Sequence, residues 1–200
     1  MDGIIFMILG LSLTLLLLLV LVLFYVIDFF FLARFDRERQ SGKGWAWDYT
    51  LLTAGAALLV ILQPWLLPRL GLTLASHWAL AIQAAGLVCI LASFALHIWS
   101  RRHLQKFYAE RVEIQPDHQV IRTGPYAYVR HPVITSFFLL AIGLVLLAPA
   151  ITTALGLLYT IWDFTRAARQ EEELLAKTLS GYAEYMSRVP RFVSFRRGDQ

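Results

Sequence analysis

Apolar residues run along this chain in long blocks rather than in alternation. No charge falls between Ile4 and Ile27, and the apolar character continues past Asp28 to Ala33. Tyr49 to Leu67 is a second uncharged run, Trp78 to Leu96 a third, and Val133 to Trp162 a fourth. A helix that crosses a bilayer needs about 20 mostly apolar residues. Each run therefore predicts a spanning helix, and the fourth is long enough for two. Ala148-Pro149-Ala150 lies in its middle, where a proline ends one helix or starts another. The pattern predicts an all-α integral membrane protein with five transmembrane helices, at about 4–32, 49–67, 78–100, 132–147 and 150–165, the last two a short hairpin. No repeat or linker divides the chain, so 1–200 reads as a single membrane domain. The first run lacks a basic leader and is too long for a signal peptide, so it reads as a retained helix.

Charge then sets the orientation. The segment 33–48 holds Arg34, Arg37, Arg39 and Lys43, and 68–77 holds only Arg69. The segment 101–131 holds six basic residues, the turn at 148–150 none, and the tail from 164 seven. Five spans place seventeen of the eighteen basic residues on one side, which the positive-inside rule makes cytoplasmic. Four spans would separate the tail from the 101–131 loop. The N-terminus is therefore expected outside and the C-terminus in the cytoplasm.

Composition narrows the class further. The chain is 58% hydrophobic and only 16% charged, against about 45–50% and about 25% in ordinary soluble domains. Twelve Gly, seven Pro and one Cys exclude collagen-like and disulfide-rich scaffolds. The net charge of +4 is accounted for by cytoplasmic loops, so no nucleic-acid partner is expected. Neither H-x-x-x-H nor C-x-x-C occurs, so no metal is expected. No G-x-G-x-x-G follows a strand, which excludes a Rossmann cofactor domain.

The residues able to do chemistry gather in two stretches on the cytoplasmic side. The loop carries Gln115-Pro116-Asp117-His118-Gln119-Val120-Ile121, then Gly124-Pro125-Tyr126-Ala127-Tyr128-Val129-Arg130-His131-Pro132. The bland reading is a connector that starts a helix at Pro132, with Tyr126 and Tyr128 as interfacial aromatics and Arg130 as a topology anchor. The tail carries Arg166, Arg169 and Glu171-Glu172-Glu173, then Tyr182, Tyr185 and Arg188-Val189-Pro190. Its bland reading is a solvated helix with surface ion pairs of little worth. Against that, charges so close to a span are costly unless they face an aqueous or ligand-filled cavity. His97, Ser93 and Ser100, near the inner end of the third span, read as packed side chains rather than ligands.

Taken in order, the motifs carry more information than any one of them. Gln115-x-x-His118, then Gly124-Pro125-Tyr126-x-Tyr128-Val129-Arg130-His131-Pro132, an apolar hairpin, Arg169-x-Glu171-Glu172, and Tyr182-x-x-Tyr185-x-x-Arg188-Val189-Pro190 resemble the isoprenylcysteine carboxyl methyltransferase family, which groups with the phospholipid methyltransferases. The resemblance covers about residues 97–195. It implies a membrane methyltransferase whose cofactor, S-adenosyl-L-methionine, is wrapped by the loop and the tail. Carried over by motif, Gln115, His118, Gln119, Val120 and Ile121 would hold the cofactor along one stretch of chain. Tyr126 would pack on it, and His131, Pro132, Val133 and Ile134 would close the pocket at the helix start. Glu171, with Glu172 beside it, would take the cofactor's amino group. The family usually has Tyr at the position of Ile134, and the tail motif here is one residue shorter. The acceptor-side arginine therefore falls on Arg169 or, with the gap placed differently, on Arg166.

The acceptor class follows from the residue types. A carboxylate needs no general base, only a cation to hold it, and a guanidinium fork suits that. An amine acceptor would need a proton removed. The arginines near the tail favour carboxyl methylation of a lipophilic or prenylated acceptor embedded among membrane lipids. N-methylation of a phospholipid headgroup, or a non-catalytic small transporter, are the competing readings. A bacterial or archaeal inner membrane is expected rather than the endoplasmic reticulum.

Overall fold

The computed structural model describes residues 2–35, 47–67, 79–105 and 119–192. Among them every regular element is helical: α1 (Asp2–Phe35), α2 (Trp47–Leu66), α3 (Ala79–Leu104), a single 3-10 turn (Gly124–Ala127), α4 (Pro132–Leu147), α5 (Ile151–Thr178) and α6 (Tyr182–Arg188). The bounds follow local chemistry. Pro132 occupies the first position of α4, where its missing N–H costs nothing. Gln105 ends α3 in the left-handed region, at φ 47. Pro149 sits in the break between Leu147 and Ile151. There the Thr153 hydroxyl bonds the carbonyls of Ala148 (2.9 Å) and Ala150 (3.0 Å) and accepts from the Ala150 amide (3.2 Å), satisfying groups the break leaves open. α5 runs thirteen residues beyond the expected span end at 165, so the charged tail segment is the same helix as the apolar run before it.

The chain divides into two compact units. One comprises Met1–Ile90 and Ala141–Leu158, the other Leu91–Leu140 and Tyr159–Gln200. In the first unit, α1 packs against α2 and buries Leu17, Val20, Phe24 and Phe31 along one stripe. The Trp65 indole donates to the Thr14 hydroxyl across that contact (2.8 Å). Around the rest of α1, Leu15, Leu19, Val22, Val26 and Phe29 lie exposed, Phe29 by 67%. Water does not tolerate an apolar surface this continuous, whereas lipid does. Leu11–Phe31 and Leu80–Leu104 are each long and apolar enough to cross a membrane, and Ala57–Leu66 and Pro132–Leu147 are shorter apolar helices.

Two devices, one polar and one of close packing, tie this unit together. Gln63 is 2% exposed, and its amide donates to the Ala148 carbonyl (3.0 Å) while its own carbonyl accepts from the Thr152 hydroxyl. α2 thereby holds both arms of the turn between α4 and α5. α3 and α4 meet backbone to backbone at Gly86 and Gly143. A Cβ on Gly86 would lie 2.7 Å from the Leu147 amide nitrogen, and one on Gly143 would lie 2.9 Å from the Gly86 carbonyl oxygen. Small residues allow such approach between helices in lipid, where packing is the main cohesive force. Gly86→Val is therefore expected to destabilise the detergent-solubilised protein by about 1–3 kcal/mol through overpacking. Gly156→Ala, with nothing within 4 Å of the new Cβ, should instead leave stability unchanged or raise it by up to about 1 kcal/mol. Thermal unfolding of the two variants side by side checks the contrast.

Candidate active site

The second unit brings the two motif-bearing stretches together. The chain after Ile121 reaches the 3-10 turn at Gly124, whose φ is +60 and whose missing side chain leaves room for the His103 ring. A Cβ there would stand 2.5 Å from that ring. Pro125 and Tyr126 are buried beyond it. The chain then passes Arg130 and His131 and enters α4. Here it pairs with the tail: the Arg130 amide donates to the Pro190 carbonyl (2.9 Å), and the His131 amide to the Arg191 carbonyl (3.1 Å). The Tyr185 hydroxyl donates to the Tyr126 carbonyl (2.6 Å). Arg122 donates to the Gly181 carbonyl (2.9 Å) and lies 5.9 Å from the centre of the Tyr185 ring. Leu175, Tyr182 and Tyr185 form the apolar centre, with Val120, Leu179, Met186 and Val189 packed against it. Burial pushes the Tyr185 phenol up to about 12 and raises Tyr182 as well, so both hydroxyls keep their protons.

Glu172 lies at the middle of the polar part. It is 2% exposed and receives Arg130 Nε and Nη2 at 2.9 Å, His131 Nε2 at 3.0 Å, and Arg191 Nε and Nη2 at 3.0 and 2.5 Å. Arg130 also donates from Nη1 to the carbonyls of Met186 (2.8 Å) and Val189 (2.5 Å). Burial alone would raise the Glu172 pKa, but bonds from His131, Arg191 and Arg130 hold it far below the usual carboxylate range. Burial likewise works to lower His131, and the two carboxylates beside it outweigh that, so its pKa stands above the ordinary 6.5. Glu171 differs from its neighbour: its side chain is 44% exposed, with one oxygen 3.5 Å from His131 Nδ1.

The candidates therefore separate. Glu171 and His131 adjoin, while Glu172 is filled by protein donors and binds the loop to the tail. Pro132, Val133 and Ile134 are buried at the start of α4. Gln119 and Val120, with Arg122, Leu179 and Ser180, line an open cleft. That cleft includes neither Glu171 nor His131. Arg166 and Arg169 are both exposed on α5, and Arg166 lies 5.9 Å from the centre of the Trp162 ring. Gln115 and His118 lie outside the described residues. Among those described, no group of three or more His, Cys, Asp and Glu could hold a metal ion.

Sequence reasoning missed Arg130 and Arg191. Arg130 reads as a topology anchor and Arg191 as one more basic tail residue, and nothing in local spacing ties either to Glu172. His97, Ser93 and Ser100 are fully buried. Ser93 donates to the Ser136 carbonyl (2.7 Å), and Ser136 donates its hydroxyl proton to the Val133 carbonyl (2.5 Å). His97 Nδ1, 3.1 Å from that hydroxyl oxygen, must then carry a hydrogen. Ser93, His97 and Ser136 join α3 to α4, whereas Ser100 bonds the Leu96 carbonyl of its own helix (2.6 Å).

A helical chain with apolar faces turned outward, and a loop and tail locked around buried charges, defines a membrane protein with a polar site built from loop and helix ends. Residues 84–177 match the isoprenylcysteine carboxyl methyltransferase (ICMT) family. Protein-S-isoprenylcysteine O-methyltransferase of Schizosaccharomyces pombe is 25% identical over 188 residues, covering 84% of this chain and 77% of that protein. The human protein of the same name is 31% identical over 83 residues, covering 40% of this chain and 29% of that protein. The solved structure of the eukaryotic intramembrane Ras methyltransferase ICMT superposes with a TM-score of 0.59 at 21% identity, over 85% of this chain and 64% of that one. The chain thus spans about two thirds of the length of that structure. The chain is thus similar to the isoprenylcysteine carboxyl methyltransferase family over residues 84–177.

The charge cluster makes stability pH-dependent in a defined sense. His131, raised on folding, contributes fully below pH 6.5 and loses that contribution as pH rises through its folded pKa. Glu172, lowered on folding, contributes above pH 4.5 and loses it as pH falls. The cluster is therefore most stabilising between pH 4.5 and 6.5. Glu172→Gln, which leaves buried cations without their anion, should cost about 3–5 kcal/mol. Melting temperatures across pH, for the wild type and this variant, measure both effects.

Proposed function

We propose that this protein is a membrane methyltransferase that esterifies the carboxylate of an isoprenylated cysteine. We place its site on the cytoplasmic side of a five-span bundle, with the N-terminus outside. The observation that carries this reading is the interlock of the Gly124–His131 stretch with the Glu171–Arg191 tail, which joins the two motif-bearing segments at one place. The similarity of residues 84–177 to the family supports carboxyl methylation over N-methylation of a phospholipid and over a non-catalytic transporter.

The residues present fit S-adenosyl-L-methionine. Glu171 offers a half-exposed carboxylate for an ammonium group, and Glu172 beside it is already neutralised. Gln119 and Val120 border the cleft and Ile121 follows them in the chain, Tyr126 is buried in the 3-10 turn, and His131 to Ile134 lie at the start of α4. Gln115 and His118 extend the same stretch. When bound, the cofactor supplies a methyl group already activated on a sulfonium.

What remains for the protein is orientation and exclusion of water, and orientation alone can be worth about 7–11 kcal/mol. Arg169, exposed and two residues before Glu171, holds the acceptor carboxylate in its guanidinium fork. No base is required, because the acceptor is ionised at neutral pH. Arg166, stacked with Trp162, serves the membrane interface.

Two measurements test this. Membranes carrying the protein, incubated with methyl-labelled cofactor and a prenylated cysteine, should yield label released by mild base, as an ester is; base-stable label would mark an amine acceptor. Arg169→Ala should lower turnover while leaving S-adenosylhomocysteine affinity nearly intact, whereas Glu171→Gln should weaken that affinity by about 1.5–3 kcal/mol, the worth of one charged hydrogen bond. The topology is tested separately, in a Cys89→Ala background. Single cysteines at Ser76 and Ser180 should label from opposite faces of oriented membranes. Labelling from the same face would remove the fifth span.

A further inference from the structure

His131 holds more charge around it than binding alone requires. Its ring is 5% exposed, with Nε2 3.0 Å from Glu172 Oε1 and Nδ1 3.5 Å from Glu171 Oε2. A neutral imidazole carries one N–H, so one of its nitrogens would point a lone pair at a carboxylate. Both nitrogens facing carboxylates describes an imidazolium. The charged and titratable groups around it are Glu171 and Glu172 from α5, Arg130 from its own loop, Arg191 from the tail, and Tyr182 of α6 near the two carboxylates.

We propose that His131 is a positioning residue that exchanges a proton with the ligand's charge: the imidazolium holds Glu171 in the free protein, and its Nδ1 proton leaves to solvent when a ligand ammonium takes that place at Glu171. This rests on Glu171 being the partner of the cofactor's ammonium. The argument is one of charge. Arg130, Arg191 and protonated His131 bring three positive charges to a largely buried site, against two from Glu171 and Glu172. An incoming ammonium adds a fourth. The guanidiniums keep their protons, and both already serve Glu172. Tyr182 has no charge to lose. His131 alone can restore the balance. Its Nε2–H stays on Glu172, so the loop remains held while Nδ1 is vacated. The Glu171 contact is the longer and more exposed of the two, and it is the one that yields.

The experiment is calorimetric binding of S-adenosylhomocysteine to the full-length protein in detergent, between pH 6 and 8, in buffers of low and high ionisation enthalpy. Release of up to one proton per ligand is expected, with affinity rising by as much as about tenfold per pH unit. In His131→Gln both effects should vanish, the ligand's own ionisation being common to the two proteins. Glu172 keeps Arg130 and Arg191 in that variant. Should it nevertheless fail to fold, the shift of the wild-type His131 imidazole resonances to the neutral form on ligand addition decides the matter. Binding without proton release, or an equal release from His131→Gln, overturns the proton exchange and leaves the cofactor reading standing. Unchanged binding and release in Glu171→Gln overturns Glu171 as the shared carboxylate. No binding to the wild type overturns the cofactor reading and this inference together.

Discussion

A carboxylate removed from water survives as an anion only where cations and donors replace the water it has lost. At Glu172 that replacement comes from two stretches of chain far apart in sequence, Arg130 and His131 on one side and Arg191 on the other. Each of these groups has a second duty. Arg130 also ties the carbonyls of Met186 and Val189, and the amides of Arg130 and His131 meet the carbonyls of Pro190 and Arg191. The loop, α5 and the tail are thus held in one geometry by groups that cannot be satisfied separately. Glu171 and the start of α4 take their places from that geometry.

The apolar architecture was legible because lipid imposes a length. Uncharged runs had to be helices, and α4 begins at Pro132 and ends at Leu147, the bounds the run and its proline suggest. α5 was harder. The expected end at 165 rested on the arrival of charge, yet a helix continues wherever its backbone bonds do, and this one continues to Thr178. The pairings within the charge cluster were not legible. Three consecutive glutamates look alike in a sequence. Their different environments follow from a rotation of about 100° per residue about the helix axis, which turns Glu172 inward and leaves Glu171 half-exposed. Rules for i,i+3 and i,i+4 neighbours assign the charges of α5 to one another. The partner that matters most, Arg130, lies 42 residues away.

The polar residues inside the apolar helices show how a membrane protein uses groups it cannot leave unsatisfied. Ser93, His97 and Ser136 link α3 to α4, and Gln63 links α2 to the turn before α5. None of these side chains needs a ligand to explain it. Exposure separates them from Glu171, which retains access, whereas Gln63, His97 and Glu172 are buried.

The pairing of Arg130 with carbonyls 56 and 59 residues further on also has a meaning in time. Contacts between distant residues form late, because the intervening chain must first be ordered. α4 and α5 lie between these partners, and synthesis delivers Arg191 after α6 as well. Until then Glu172 has only part of its coordination. Glu172 therefore gains its full coordination only once the tail has returned to the loop.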